Sequence, residues 1–285
     1  MRVSECCAEC LMNKQSLLST DRDYLVEVRR ILENRAEDDT APYLVYLFGR
    51  AYERRFGPRR PYADVKRKYN DLVLARVGEI RHRIEASADP VGTALGYARA
   101  GNYIDFGAMN TVDDGTLFSL LDRSGLNEGD QAAYLAFLNS CKEGRNFLLL
   151  ADNCGEIVLD RLLIEQLRLR FPHMRYTVMV RGGEVLNDAT LEDARYAGID
   201  GVANVVESGS AVAGTVYRML TPEARAALDT ADVILSKGQG NYETLSGSGR
   251  HVFYAFLCKC DLFTERFNVP RLTGMFVEEK QLCAV

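Results

Sequence analysis

Two short polar segments each follow an apolar run, and their side chains could bind a hard cation. The string DNCGE at residues 152–156 follows the run 147–151, and the string NDAT at residues 187–190 lies beyond the run 176–180 and an Arg-Gly-Gly turn. Asp or Asn before a helix can simply cap it, which suffices to explain a single copy. A second copy favours a shared site, because the carboxyl ends of parallel strands meet along one edge of a sheet.

A third apolar run, residues 232–236, leads into the string KGQGNYE, which begins at Lys237 and contains Asn241. Glycines let backbone N–H groups approach an anion, and an ammonium adds a point charge, so this segment favours a phosphate-binding turn. A sharp turn between a strand and a helix, with an exposed lysine, is the alternative interpretation.

Asp152, Asn153 and Asp188 supply two carboxylates and one amide oxygen, which are hard ligands. None of the three histidines lies in these segments. Oxygen ligands without histidine point to Mg²⁺, Mn²⁺ or a similar ion, completed by water and substrate oxygens. A divalent ion facing a lysine predicts metal-assisted phosphoryl transfer to water. Whether Asp152 attacks phosphorus or activates water stays open.

The elements that must hold these residues form an α/β fold. From residue 147 onward, apolar runs alternate with helical patterns, which predicts a doubly wound, mainly parallel sheet. The predicted strands are residues 147–151, 176–180, 201–206, 232–236, 252–258 and 274–278. Apolar residues recur with helical period before residue 99, so we predict a helical N-terminal domain at 1–99 and an α/β domain at 100–285 that carries the site.

The segment GNYIDFG, residues 101–107, joins the two predicted parts and includes Asn102 and Asp105. These two residues could be turn formers only. Ligand sites favour domain junctions, however, so we expect this segment to line the cleft.

Charge and hydropathy argue against a protein that binds nucleic acid, spans a membrane or is secreted. The chain of 285 residues has 35 Lys and Arg against 40 Asp and Glu, and its net charge of −5 gives no general attraction to nucleic acid or to anionic membranes. No apolar stretch reaches the roughly 18 residues of a membrane span, and the first residues lack the apolar core of a signal peptide. We therefore expect a cytoplasmic protein. Its oligomeric state cannot be read from the sequence.

The eight cysteines are too sparse for a disulfide scaffold. Cys7 and Cys10 have CxxC spacing with Cys6 beside them, and Cys258 and Cys260 follow far along the chain. Cys7, Cys10 and Cys260 are a possible second site, which would hold zinc or iron through thiolates or form close, redox-active thiols. Buried, inert cysteines are the common alternative.

Four strings resemble the motifs of the damage-control phosphatases, a family long classed as a domain of unknown function that includes acidic-residue methyltransferase homologues. They are GNYIDFG, DNCGEIVLD, RGGEVLNDAT and KGQGNYETL, which begin at residues 101, 152, 181 and 237. The early CAEC and the late Cys260 are similar to the short, prokaryotic-type branch of this family. The resemblance spans nearly the whole chain.

The resemblance implies a metal-dependent phosphatase that hydrolyses phosphomonoesters of small, damaged or side-product metabolites such as sugar phosphates, with Co²⁺, Ni²⁺, Mn²⁺ or Mg²⁺. Asp152, Asn153 and Asp188 match its metal ligands, and Lys237 matches its phosphate-contacting lysine. The predicted catalytic residues are these four. The predicted substrate-binding residues are Asn102, Asp105, Gly155, Glu156, Asn187, Lys237 and Asn241.

Two other classes stay open. Doubly wound sheets also host S-adenosylmethionine-dependent methyltransferases, but a GxGxxG turn after the first strand would favour that cofactor, and this chain has DNCGE there. A non-catalytic binding protein stapled by a metal at the cysteines is the third class. Loss of the oxygen ligands would favour this third class, and they are present.

Overall fold

The computed structural model describes residues 1–59, 61–107 and 112–282. The helices of the first 143 residues are α1 Glu5–Leu18, α2 Arg22–Glu33, α3 Ala41–Phe56, α4 Ala63–Leu74, α5 Val77–Glu85, α6 Pro90–Gly101, α7 Asp114–Asp122 and α8 Gln131–Glu143. The strands are β1 Asn146–Leu150, β2 Arg175–Val180, β3 Asn204–Glu207, β4 Val233–Lys237, β5 Val252–Leu257 and β6 Gly274–Glu278. The helices among the strands are α9 Glu156–Arg170, α10 Leu191–Tyr196, α11 Pro222–Thr230, α12 Gln239–Leu245, α13 Asp261–Phe267 and α14 Glu279–Leu282.

The strands form one six-stranded sheet in the order β3-β2-β1-β4-β5-β6. All neighbouring pairs are parallel except β5 and β6, which are antiparallel. This confirms the predicted doubly wound, mainly parallel sheet, and each predicted strand is present. The third strand starts at Asn204 rather than at Gly201, because residues 199–201 form a 3₁₀ turn.

Helices cover both faces of the sheet, which explains why its central strands read as continuous apolar runs. Every residue of β4 and β5 is buried. On one face, α6, α8 and α9 pack against β1 in the largest hydrophobic core. On the other face, α11, α12 and α13 enclose a second core.

The N-terminal helices divide between two cores. Helices α1 to α3 pack around a separate cluster that contains Tyr24, Val28 and Phe48. Helices α4 to α6 share the main core with the sheet, as Tyr69 of α4 and Leu95 of α6 show. The predicted domain boundary between residues 99 and 100 falls inside α6, and the division of the chain into two domains stays a prediction.

The strand order reverses between β1 and β4, since β2 and β3 lie to one side of β1 while β5 and β6 lie beyond β4. In open α/β sheets, this reversal leaves a crevice outside the carboxyl ends of the two strands, where ligands bind. The segments after β1 and β4 are those that begin with Asp152 and Gly238. Among the described residues, no helix combines the length and the apolarity that a membrane crossing needs.

Candidate active site

The segment after β1 makes a tight turn into α9 at Gly155. The φ of Gly155 is +71°, and a Cβ there would lie 2.7 Å from Cδ1 of Ile104, so only glycine fits. The backbone N–H of Gly155 donates to Oδ1 of Asn70 on α4 at 2.6 Å, and Asn70 in turn donates to Asp193 at 3.1 Å. Helix α4 therefore fixes the turn from outside the sheet.

The segment before α10 pairs with this turn through the backbone. Asn153 and Asp188 form an isolated antiparallel bridge. The N–H of Cys154 donates to the carbonyl of Asn187, and the N–H of Ala189 donates to the carbonyl of Asp152, both at 2.8 Å. The structure thus brings the two predicted ligand segments into direct contact, as the repeated pattern suggested.

The carboxylates of Asp152 and Asp188 are both buried and are bridged by Arg181, which follows β2. Nε of Arg181 donates to Oδ2 of Asp188 at 2.6 Å, and Nη2 donates to Oδ1 of Asp152 at 3.1 Å. Burial, together with Asp188 and Glu156, holds the pKa of Asp152 well above its ordinary value. Burial also raises the pKa of Asp188 to about 6, although Arg181 opposes the shift. Such a concentration of buried negative charge favours binding of a cation.

Three buried amides surround the carboxylates, and their orientation is set by the backbone. Asn187 donates to the carbonyl of Ile104 at 2.7 Å and accepts from the N–H of Phe106 at 3.0 Å. Its amide nitrogen also donates to Oδ1 of Asn153 at 3.1 Å. Asn187 therefore fixes which way the amide of Asn153 faces.

Asn102 and Asn153 share two acceptors. Nδ2 of Asn102 donates to Oδ2 of Asp152 and to Oε2 of Glu156, both at 3.1 Å. Nδ2 of Asn153 donates to the same two oxygens, at 2.8 Å and 3.1 Å. Oδ1 of Asn102 accepts from the N–H of Leu257 in β5, which ties this amide to the sheet. The junction segment thus reaches the carboxylates, and its predicted role in lining a substrate cleft stays a prediction.

Gly238 brings the segment after β4 against Asp152. Its φ is +78°, and an added Cβ would lie 1.9 Å from Oδ2 of Asp152. The close approach of the two segments at the switch point therefore requires glycine at this position.

The structure corrects the expected placement of Lys237. It is the last residue of β4 and fully buried, and does not lie in an open glycine turn. Its ammonium donates to Oε1 of Glu156 at 2.6 Å, to Oδ1 of Asp160 at 2.7 Å and to the carbonyl of Ala98 at 2.9 Å. Three acceptors use all three donors of an ammonium. Burial alone would lower the pKa of Lys237, but the two carboxylates raise it above its ordinary value.

Asn241 is also occupied by protein groups. Its Oδ1 accepts from Nη1 of Arg181 at 3.0 Å and from Thr215 at 2.9 Å, while its Nδ2 donates to the carbonyls of Lys237 and Ala151. Asn241 therefore lies beside Arg181 and the carboxyl ends of β1 and β4. The substrate contacts predicted for Asn241 and Lys237 stay predictions, and the structure gives both residues other partners.

Asp105 lies where the junction segment meets the sheet edge. Its Oδ2 accepts from the buried ammonium of Lys259 at 2.6 Å, and its Oδ1 accepts from the N–H of Gly107. Its negative charge contributes to the raised pKa values of Asp152 and Asp188.

The donor set fits a hard divalent ion. Asp152 and Asp188 supply carboxylate oxygens and Asn153 an amide oxygen, which is the chemistry that Mg²⁺ or Mn²⁺ prefers. Within residues 1–59, 61–107 and 112–282, no group of three or more His, Cys, Asp and Glu side chains is arranged to hold an ion. The fit therefore depends on two carboxylates, one amide, and oxygens from water or substrate.

The predicted thiol site consists of free cysteines. Burial raises the pKa of Cys7 to about 12, and smaller contributions come from Glu243, Cys10, Cys260 and Cys6. Cys10 and Cys260 are free thiols, as is Cys7. Among the residues that the structure describes, no three such side chains are arranged to hold a metal, so the metal form of the hypothesis gains no support. The redox form stays a prediction.

Sequence reasoning missed three residues that hold the site: Arg181, Asn70 and Lys259. Arg181 begins the motif RGGEVLNDAT and directly follows the predicted strand 176–180. Its position at the sheet edge could therefore have marked it as a site residue. Lys259 follows β5 in the same way. Asn70 lies on a helix more than 80 residues before the turn that it supports, and nothing in the local sequence marks it.

The fold and the site together define a doubly wound α/β protein with a carboxylate and amide cluster at its topological switch point. The model of the damage-control phosphatase ARMT1-like domain matches residues 3–273 of this chain. The chain belongs to this family of phosphatases.

Individual proteins agree with this assignment. A damage-control phosphatase of Archaeoglobus fulgidus is 31% identical over 273 residues, which cover 92% of this chain and 93% of that protein. A damage-control phosphatase of Pyrococcus horikoshii is 24% identical over 285 residues, with 95% and 96% covered. The crystal structure of a DUF89 family protein from P. horikoshii has the same fold, with a TM-score of 0.77, 23% identity, and 98% of this chain and 99% of that chain covered.

Proposed function

We propose that this protein is a metal-dependent phosphatase that hydrolyses phosphomonoesters of small metabolites such as sugar phosphates. The observation that carries the proposal is the contact of the segments bearing Asp152, Asn153 and Asp188 at the switch point of the sheet. Membership of a phosphatase family supports the reaction class. The two carboxylates and the amide oxygen supply hard ligands, which supports dependence on a divalent metal ion.

Asp152, Asn153 and Asp188 would hold one divalent ion, with Mn²⁺, Co²⁺, Ni²⁺ and Mg²⁺ as the candidates. When bound, such an ion polarises a phosphoryl oxygen and neutralises charge in the transition state. Arg181 donates hydrogen bonds to both carboxylates, and the amide nitrogen of Asn187 donates to Oδ1 of Asn153.

The predicted substrate-binding residues Asn102, Asp105, Gly155 and Glu156 would lie around a small, polar, anionic substrate. Asn102 supports this role because it donates to Asp152 and to Glu156. Glu156 is fully buried and its charge is balanced by Lys237, so we assign the ion to Asp152, Asn153 and Asp188 and not to Glu156. The charge balance of the whole chain gives no reason to expect nucleic acid or a membrane as a partner.

The test is phosphate release from a panel of phosphomonoesters, measured after removal of metal with EDTA and after addition of each divalent ion separately. We expect little release after chelation and strong release with at least one ion. Release that chelation leaves unchanged would contradict the metal dependence. Absence of release with every ion, combined with tight calorimetric binding of S-adenosylmethionine, would favour the methyltransferase class instead.

A further inference from the structure

Arg181 lies between the buried carboxylates of Asp152 and Asp188. Its side chain is 3% exposed. Its backbone is fixed directly after β2, because its N–H donates to the carbonyl of Ala189 at 2.9 Å and it forms a parallel bridge with Thr190. The guanidinium therefore projects from a rigid point at the sheet edge.

Each nitrogen of this guanidinium contacts a different side chain. Nε meets Asp188, Nη2 meets Asp152, and Nη1 meets Oδ1 of Asn241. Asn241 is itself held by Thr215 and by the carbonyls of Ala151, which directly follows β1, and of Lys237, which ends β4. The guanidinium is thus anchored to three strands, while its fork spans the two carboxylates.

We propose that Arg181 is a positioning residue that sets the relative orientation of Asp152 and Asp188 for binding of the divalent ion. A planar fork with five donors can hold two carboxylates and an amide at fixed angles, and an ammonium cannot. The inference depends on the proposed function, since it concerns the ligands of the same ion.

Two physical effects of Arg181 on the ion oppose each other. Its positive charge repels a cation and competes with it for the carboxylate oxygens. Its hydrogen bonds hold the ligands in place before the ion arrives, which removes an ordering cost from binding. If orientation dominates, removal of Arg181 weakens ion binding. If repulsion dominates, removal strengthens it, so the sign of the change decides the role.

The experiment measures Mn²⁺ affinity by calorimetry, with circular dichroism to check the fold, for wild type, Arg181→Lys and Arg181→Met. Arg175→Met is the matched control, because Arg175 is exposed at the opposite end of the same strand. We expect both Arg181 variants to bind Mn²⁺ about 10- to 100-fold more weakly, the usual effect of losing a group that orients a metal ligand. Arg175→Met should bind as wild type does.

A second readout separates orientation from charge. Arg181→Lys keeps the charge and loses the fork, so weak binding in this variant assigns the effect to geometry. Part of its lost phosphatase activity should return at high Mn²⁺. Thr215→Val removes one of the groups that anchor Asn241. It should also weaken Mn²⁺ binding, but by a smaller factor than the Arg181 variants do. This variant keeps the proposal testable if Arg181→Met does not fold.

Mn²⁺ binding by Arg181→Met or Arg181→Lys that is as tight as in wild type, or tighter, overturns the positioning role and leaves the proposed function intact. Failure of the wild type to bind any of the four divalent ions overturns the proposed function, and the role of Arg181 with it.

Discussion

Nζ of Lys237 lies 2.6 Å from Oε1 of Glu156, and both side chains are fully buried. Oδ1 of Asp160, also fully buried, lies 2.7 Å from the same nitrogen. This internal ion cluster connects β4 with α9 directly beneath the turn that carries Asp152 and Asn153. Lys237, which the sequence predicts to contact phosphate, is therefore paired in the structure with two carboxylates of the protein itself.

Lys237→Met is expected to destabilise the fold. Loss of the ammonium leaves Glu156 and Asp160 buried without a cation, and breaking a buried ion pair in this way costs about 3–5 kcal/mol. Denaturant unfolding measures the change, with Lys142→Met on the exposed face of α8 as the control. A wild-type free energy of unfolding combined with lost hydrolysis of phosphomonoesters would instead make Lys237 a substrate contact.

Asp188→Asn and Asp152→Asn should each lower kcat/KM for phosphomonoester hydrolysis by about 100- to 1000-fold, because the ion's stabilisation of the transition state is worth several kcal/mol. Asp200→Asn, at an exposed position, is the control and should retain full activity. Steady-state kinetics at saturating metal test this. Wild-type kinetics in both ligand variants would mean that the metal site lies elsewhere.

Gly238→Ala should displace Asp152, since the new Cβ would lie 1.9 Å from its Oδ2. We expect weaker Mn²⁺ binding and a loss of stability of about 1–3 kcal/mol from the backbone conformation. Gly247→Ala is a matched control, because Gly247 has a φ of +83° and open space around its Cα. It should lose stability and keep its Mn²⁺ affinity. Equal Mn²⁺ affinities in the two variants would show that Gly238 does not shape the metal site.

Cys7 should react slowly with iodoacetamide at neutral pH. Its pKa is raised from 9.0 to about 12, mainly by burial, so the reactive thiolate is about 1000-fold scarcer than for an ordinary cysteine at the same pH. Mass spectrometry after labelling at increasing pH measures the rate, which should keep rising above pH 10. Rapid labelling of Cys7 at pH 8 would show that this thiol is exposed in solution.

The architecture could be read from the sequence. Apolar runs bounded by polar turns identified the strands, most clearly β1, β4 and β5, because a strand covered on both faces must be apolar along its length. The contact between the segments that carry Asp152, Asn153 and Asp188 could be predicted for a related reason, since segments that follow parallel strands meet at one sheet edge. Their role as metal ligands stays a prediction. Local pattern and topology decide both features.

The tertiary structure alone decided how those residues are held and what Lys237 contacts. Local sequence could not distinguish a phosphate ligand from a buried counterion, because the difference lies in Glu156 and Asp160, about 80 residues earlier in the chain. The roles of Arg181, Asn70 and Lys259 depend in the same way on partners from other elements. A motif determines which chemical groups are present, whereas packing determines which of them are left to face a substrate.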